Sequence, residues 1–177
     1  MNTLFSNRSI KAILFIVILL LIAISQSSQA HANNAGTLAL TLKLKQQQGE
    51  YHPPYVAAWI ENNKKKSVRT LLLWRKEPKW LKDIRRWWRN VGRKDAELVD
   101  AITSATHAAG SFPLSFKLND DDQHALSKGT YTLFIEVVRE KGGRALLKKK
   151  FELNQSSQTF TLKETAETGE ITFSINP

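Results

Sequence analysis

The chain has 177 residues, a formal net charge of +10 at neutral pH, 42% hydrophobic residues and five tryptophans, which suits one folded domain with some extra sequence. It contains no cysteine, and this excludes disulfides, thiolate metal sites, thiol redox chemistry and thioether haem attachment.

Residues 1–32 read as a secretory signal peptide: Arg8 and Lys11 supply the positive start, residues 12–24 are apolar throughout, and Ala30-His31-Ala32 is a small-x-small site that places cleavage after Ala32. The apolar core falls short of the about 20 residues needed to span a bilayer. The expected product is a periplasmic domain, 33–177, whose charge falls to +8 because Arg8 and Lys11 are the only charged residues removed. A basic exported domain suits an anionic membrane surface or an acidic redox partner and not nucleic acid. About 145 residues are enough to bury a core without disulfides.

Thr37 to Leu44 alternates strictly, with Leu38, Leu40, Leu42 and Leu44 on one side, which predicts a half-buried strand. Gln46 to Pro54 is a polar connection ending in two prolines. Tyr55 to Glu61 and Val68 to Trp74 are β-branched and aromatic runs joined by Asn62-Asn63-Lys64-Lys65-Lys66, a hairpin with a charged tip.

Pro78 marks a helix start; Trp80, Leu81, Ile84, Trp87, Trp88 and Val91 then recur at spacings of three and four, with Lys82, Arg85, Arg86 and Arg89 between them and Gly92 at the end. The structural reading is an amphipathic cover over a β core. The functional readings are a tryptophan beside a bound aromatic ligand with arginines near its phosphate, or a basic Trp/Arg helix that contacts an anionic membrane or a partner protein.

Asp100-Ala101-Ile102-Thr103-Ser104-Ala105-Thr106, continuing to Gly110, is built of small and hydroxylated residues where a fold needs only a connection. Beyond it, Leu114 to Leu118, Thr130 to Arg139, Ala145 to Leu153, Thr159 to Lys163 and Glu170 to Ile175 are strand candidates, and Lys141-Gly142-Gly143-Arg144 is the clearest hairpin turn. Asp120-Asp121-Asp122 lacks the ligand spacing of a calcium loop and reads as a solvated turn. His52, His107 and His124 show no metal-ligand spacing. No nucleophile elbow, phosphate-binding glycine loop or paired carboxylate points to a self-contained enzyme.

About eight short strands with regular turn signals make the fold class mainly β: a two-sheet antiparallel sandwich, immunoglobulin- or fibronectin-like, with one helix and the small-residue segment inserted at about 78–111. Long ordered connections in compact domains are often functional, which centres attention on Asp100 to Gly110.

That segment resembles the acceptor motif of bacterial proteins that carry covalent FMN, in which Asp precedes Ser/Thr-Gly-Ala-Thr by two residues. The resemblance implies that Thr106 accepts FMN through a phosphoester made by a FAD:protein FMN transferase, with Asp100, Thr103 and Ala105 as the surrounding motif; Ser104 stands where the pattern has glycine. Trp80, Trp87 and Trp88 are then candidates to pack on the flavin, and Arg85, Arg86 or Arg89 to neutralise its phosphodiester. The protein would be a small electron carrier for a membrane electron-transfer partner. The structural alternative is that Asp100 caps a turn and the hydroxyls satisfy local amides.

Tyr55 to Glu61, Val68 to Leu71 with Trp74, Trp80-Leu81, Trp87, the motif, Gly129-Thr130-Tyr131, Ile135-Glu136 and Arg139-Glu140 together resemble the periplasmic family catalogued as domain of unknown function 2271. That resemblance implies a small exported domain linked with flavin-transfer and membrane electron-transfer components, without a settled activity.

Overall fold

The computed structural model describes residues 36–177; the expected signal peptide and its cleavage site lie outside them. Nine strands form two sheets. β1 (Thr37–Leu44), β5 (Gly110–Lys117), β8 (Gln158–Leu162) and β9 (Ile171–Asn176) make a four-stranded sheet in the order β5-β1-β9-β8. β2 (Tyr55–Asn62), β3 (Ser67–Trp74), β4 (Thr103–Ser104), β6 (Gly129–Val138) and β7 (Arg144–Leu153) make a five-stranded sheet in the order β4-β3-β2-β6-β7. Every pairing is antiparallel except the two-residue contact of β4 with β3, where Leu73 faces Thr103 and Trp74 faces Ser104. The chain is mainly β and the sandwich architecture is as the alternation predicts.

The period-two pattern determines which side chains meet between the sheets. Leu38, Leu40, Leu42 and Leu44 of β1 pack with Val56, Ala58 and Ile60 of β2, Leu133, Ile135 and Val137 of β6, and Phe173 and Ile175 of β9. Pro113 sits in β5, an edge strand, where its missing N–H costs no ladder bond to a neighbour on the open side.

β2 is buried on both faces. Its other side, Tyr55, Ala57 and Trp59, joins Leu73, Phe134 and Val138 beneath a helical cap that contributes Leu81, Ile84, Trp87, Val91 and Val99. Trp59 stacks on Phe134 with ring centroids 5.0 Å apart. Trp59 and Trp87 have no exposed surface. At roughly 25 cal/mol per Å² and about 200 Å² of side chain, each contributes about 5 kcal/mol before the entropy of ordering it.

The cap differs from the single helix expected over 78–92. It is a 3₁₀ segment (Pro78–Asp83), a short α turn, α1 (Arg85–Trp87), a π turn (Trp88–Gly92), and a separate helix, α2 (Ala96–Ile102). The helix breaks at Ile84, whose ψ of 69° is not helical. It restarts where the backbone N–H groups of Arg86 and Trp87 find a buried acceptor, the Glu136 carboxylate on β6, at 3.0 to 3.2 Å. A tertiary partner therefore overrides the helical periodicity. Gly92 closes the π turn because a Cβ there would stand 2.6 Å from the Trp87 ring and 2.7 Å from Trp88. α2 is capped by Asp95, whose side chain accepts from Leu98 N at 2.9 Å.

Candidate functional site

Asp100 to Gly110 links the two sheets. Asp100-Ala101-Ile102 are the last turn of α2, Thr103–Ser104 are β4 on the edge of the five-stranded sheet, and Gly110 opens β5 on the edge of the four-stranded one. Between them, residues 105–109 belong to neither sheet. The first part of the segment is thus ordered by helix and ladder, where the sequence suggested one open connection.

Thr103 is structural. Its hydroxyl donates to Val99 O one turn back and accepts from Arg75 Nε at 3.1 Å. Arg75 also reaches Asp100, with Nη2 3.8 Å from a carboxylate oxygen, and its backbone N–H donates to Ser104 O at 2.9 Å. One arginine just past β3 therefore fixes three members of the segment. Asp100 keeps an exposed carboxylate, so this contact screens charge and adds little stability.

Thr106 has different surroundings. It is half-buried, Ser104, Ala105, His107 and Ala108 around it are exposed, and its hydroxyl takes no part in the side-chain hydrogen bonds among the described residues. Ser104, in the position where the acceptor pattern has glycine, lies in extended β4 and is absent from the residues with positive φ. The backbone here makes no demand that only glycine meets.

Three rings meet at His107, the residue after Thr106 in sequence. His107 lies 4.3 Å from the Trp74 ring centroid and 5.1 Å from Phe112, and Trp74 and Phe112 are 5.2 Å apart edge-on. In the sequence neither Trp74 nor Phe112 has a place at the site, because each reads as an ordinary strand residue; only the chain's return from β4 to β5 brings them to His107.

The tryptophans expected to serve a ligand go elsewhere. Trp87 is a correction: it is fully buried under the cap, its Nε1 3.4 Å from Thr70 Oγ1, and it has no free face for a cofactor. Trp80 is half-buried with Lys79 above its ring and lines a groove of about 330 Å³ with Tyr55, Val138 and the β6–β7 turn. Trp88 is half-buried among Lys82, Arg85, Arg89 and Arg144. Arg86 lies over Phe134, 4.1 Å from the ring centroid, and gives both hydrogen bonds of its Nη2 to Glu61. Arg89 Nε donates to Arg85 O. Among the described residues, no hydrogen bond or ring contact joins Arg85, Arg86 or Arg89 to Thr106; Arg75 is the arginine of the segment.

Asp120, Asp122 and His124 bring ligand-type atoms within 4.8 Å of one another. Asp121 turns inward instead, accepting from Thr70 N at 2.9 Å. Burial raises its carboxyl above the usual aspartate range, against the pull of the Thr70 amide and Arg69.

Residues 37–170 match the family described as predicted periplasmic protein, DUF2271, a span that takes in β1 to β8 and stops just before β9. The chain belongs to the DUF2271 family. No curated protein and no solved structure matches it. For this DUF2271 domain the match covers eight of the nine strands described, the cap and the segment bearing Thr106.

Proposed function

We propose that Thr106 of this DUF2271 domain is the attachment point of covalently bound FMN, and that the domain serves as a periplasmic electron carrier. The observation that carries the reading is a hydroxyl that makes no side-chain hydrogen bond among the described residues, on a linker of small residues in a motif whose neighbouring threonine is engaged on both sides. The residues present fit such a group. Ser104, Ala105 and Ala108 place no bulk beside the oxygen, and the exposed imidazole of His107, backed by Trp74 and Phe112, offers a flat surface. Arg75, which already binds Asp100 and Thr103 of the segment, is the candidate cation for the phosphodiester.

An alkyl hydroxyl is a weak nucleophile, so a separate FAD:protein FMN transferase supplies the activation. The Thr106 oxygen forms a bond to the FMN phosphorus of FAD, the pyrophosphate bond breaks, AMP leaves, and the hydroxyl proton passes to a base of the transferase. Flavin, once bound, supplies one- and two-electron chemistry; the domain's own residues position it and set its electrostatics.

Intact mass after co-expression with an FMN transferase tests the reading. An addition equal to one FMN phosphoester, absent in Thr106→Ala and retained in Thr103→Ala, supports it. An unmodified mass overturns it; salt-sensitive binding to anionic vesicles would then favour a binding module that uses the exposed Lys82, Arg85 and Arg89 around Trp88.

A further inference from the structure

The helical cap leaves part of the outer face of the five-stranded sheet uncovered. Along β7 the outward residues Arg144, Leu146, Lys148, Lys150 and Glu152 are all exposed, and Leu146 is an exposed large hydrophobic residue, 38% accessible. Between this strand and the β2–β3 turn lies a groove of about 630 Å³. Lys148 and Lys150 form one wall, opposite Phe134 and Thr132 of β6 in the ladder. Asn62, Asn63 and Lys65 of the turn form the other, and Arg86 of the cap closes one side.

The groove holds more positive charge than the fold consumes. Among the described residues Lys65, Lys148 and Lys150 have no carboxylate within ion-pair distance. The one acid in the lining, Glu61, is 2% exposed and is occupied by Arg86, Asn90 and Trp59. Arg86 spends only Nη2 on it, and its Nε is buried without a partner. Lys148 and Lys150 stand two residues apart on one strand face, which spaces their side chains by roughly 7 Å.

Two details of the turn point the same way. Lys65 has φ 60°, a left-handed conformation that glycine or asparagine adopts at lower cost, yet the position carries an ammonium on the groove. Asn62 accepts from Lys64 N and Lys66 N through Oδ1, which fixes its amide so that the NH₂ is left to donate. With the Thr132 hydroxyl, the lining therefore offers neutral as well as charged donors.

We propose that this groove is a binding site for a compact group carrying two or more phosphates, independent of the flavin reading. Its volume falls in the range of small-ligand sites, about 300 to 1,000 Å³. Unpaired ammonium groups beside neutral N–H and O–H donors match the many acceptor oxygens of clustered phosphates. The phosphates belong either to a soluble oligophosphate or to a phosphorylated lipid headgroup.

The test is calorimetric titration of the purified protein with inorganic tripolyphosphate at low ionic strength. Saturable binding is expected, weakened at least tenfold in Lys148→Gln/Lys150→Gln and less than twofold in the charge-matched Lys117→Gln/Lys163→Gln. The ligand should also raise the melting temperature of the parent protein and not of the groove variant, which separates loss of the site from loss of the fold. Tripolyphosphate binding without vesicle binding assigns the site to a soluble ligand. Binding only to vesicles containing a lipid with a phosphomonoester headgroup, lost in the same groove variant, assigns it to a lipid. No binding to either probe, equal loss in both double variants, or tighter binding of polyglutamate than of tripolyphosphate overturns the proposal, the last in favour of an acidic protein partner.

Discussion

Glu136 and Arg144 form an ion pair in which a guanidinium Nη2 lies 2.6 Å from a carboxylate that has no exposed surface. The same carboxylate receives the backbone N–H groups of Arg86 and Trp87, so a single acid of β6 fastens the cap to the sheet. Buried charge is expensive to leave unmatched, and here four donors from two directions meet it.

Glu136→Gln removes the charge while keeping the shape. The expected result is a loss of about 3 kcal/mol, the low end for breaking a buried pair, seen as a melting temperature lower by roughly 10 °C. Tryptophan fluorescence should shift to the red as Trp87 gains water. An unchanged melting temperature would mean that the apolar contacts of Ile84, Trp87 and Val91 hold the cap without the carboxylate.

The two motif threonines should separate by stability as well as by labelling. Thr103→Ala deletes the donor to Val99 O and the acceptor for Arg75 Nε, a cost of about 1–2 kcal/mol in urea unfolding. Thr106→Ala deletes no hydrogen bond and should stay within about 0.5 kcal/mol of the parent. The reverse order would show that Thr106 is a structural residue and would count against the acceptor role proposed for it.

Asp121 gives a pH dependence whose sign follows from its burial. Its carboxyl titrates above the ordinary 3.8 in the folded protein, so the native state holds the proton longer than the unfolded chain does. Stability from this group is therefore greatest when it is protonated and is lost as pH rises from about 3.8 through the raised folded value. Asp121→Asn should lack that decline when unfolding free energies are compared across the acid range. A parent whose stability gains on the variant as pH rises would show instead that Arg69 and the Thr70 amide outweigh the burial.

The strands were legible because each carries its own period. Leu38, Leu40, Leu42 and Leu44 announce one buried face, and Lys141-Gly142-Gly143 announces a turn that forms with Arg139 N donating to Gly143 O. The cap was legible in composition and not in form, since the break at Ile84 and the restart at Arg86 depend on Glu136, fifty residues further along the chain. α2 went unread although Asp95 and Leu98 bear a capping pattern, because the small residues after it suggested a loop. The same limit applies at the candidate site. Thr106 stands out in the sequence, but Arg75 reaches Asp100, Thr103 and Ser104, and Trp74 and Phe112 reach His107, only through the parallel contact of β4 and the path into β5.

That parallel contact spans two residues at the rim of the sheet. A rung so short opens at little thermodynamic expense, while the ladders of β2 with β3 and β6 stay shut. Ser104 and the residues up to 109 can therefore swing out while the rest of the scaffold stays unmelted, and the attachment proposed for Thr106 would draw on that freedom.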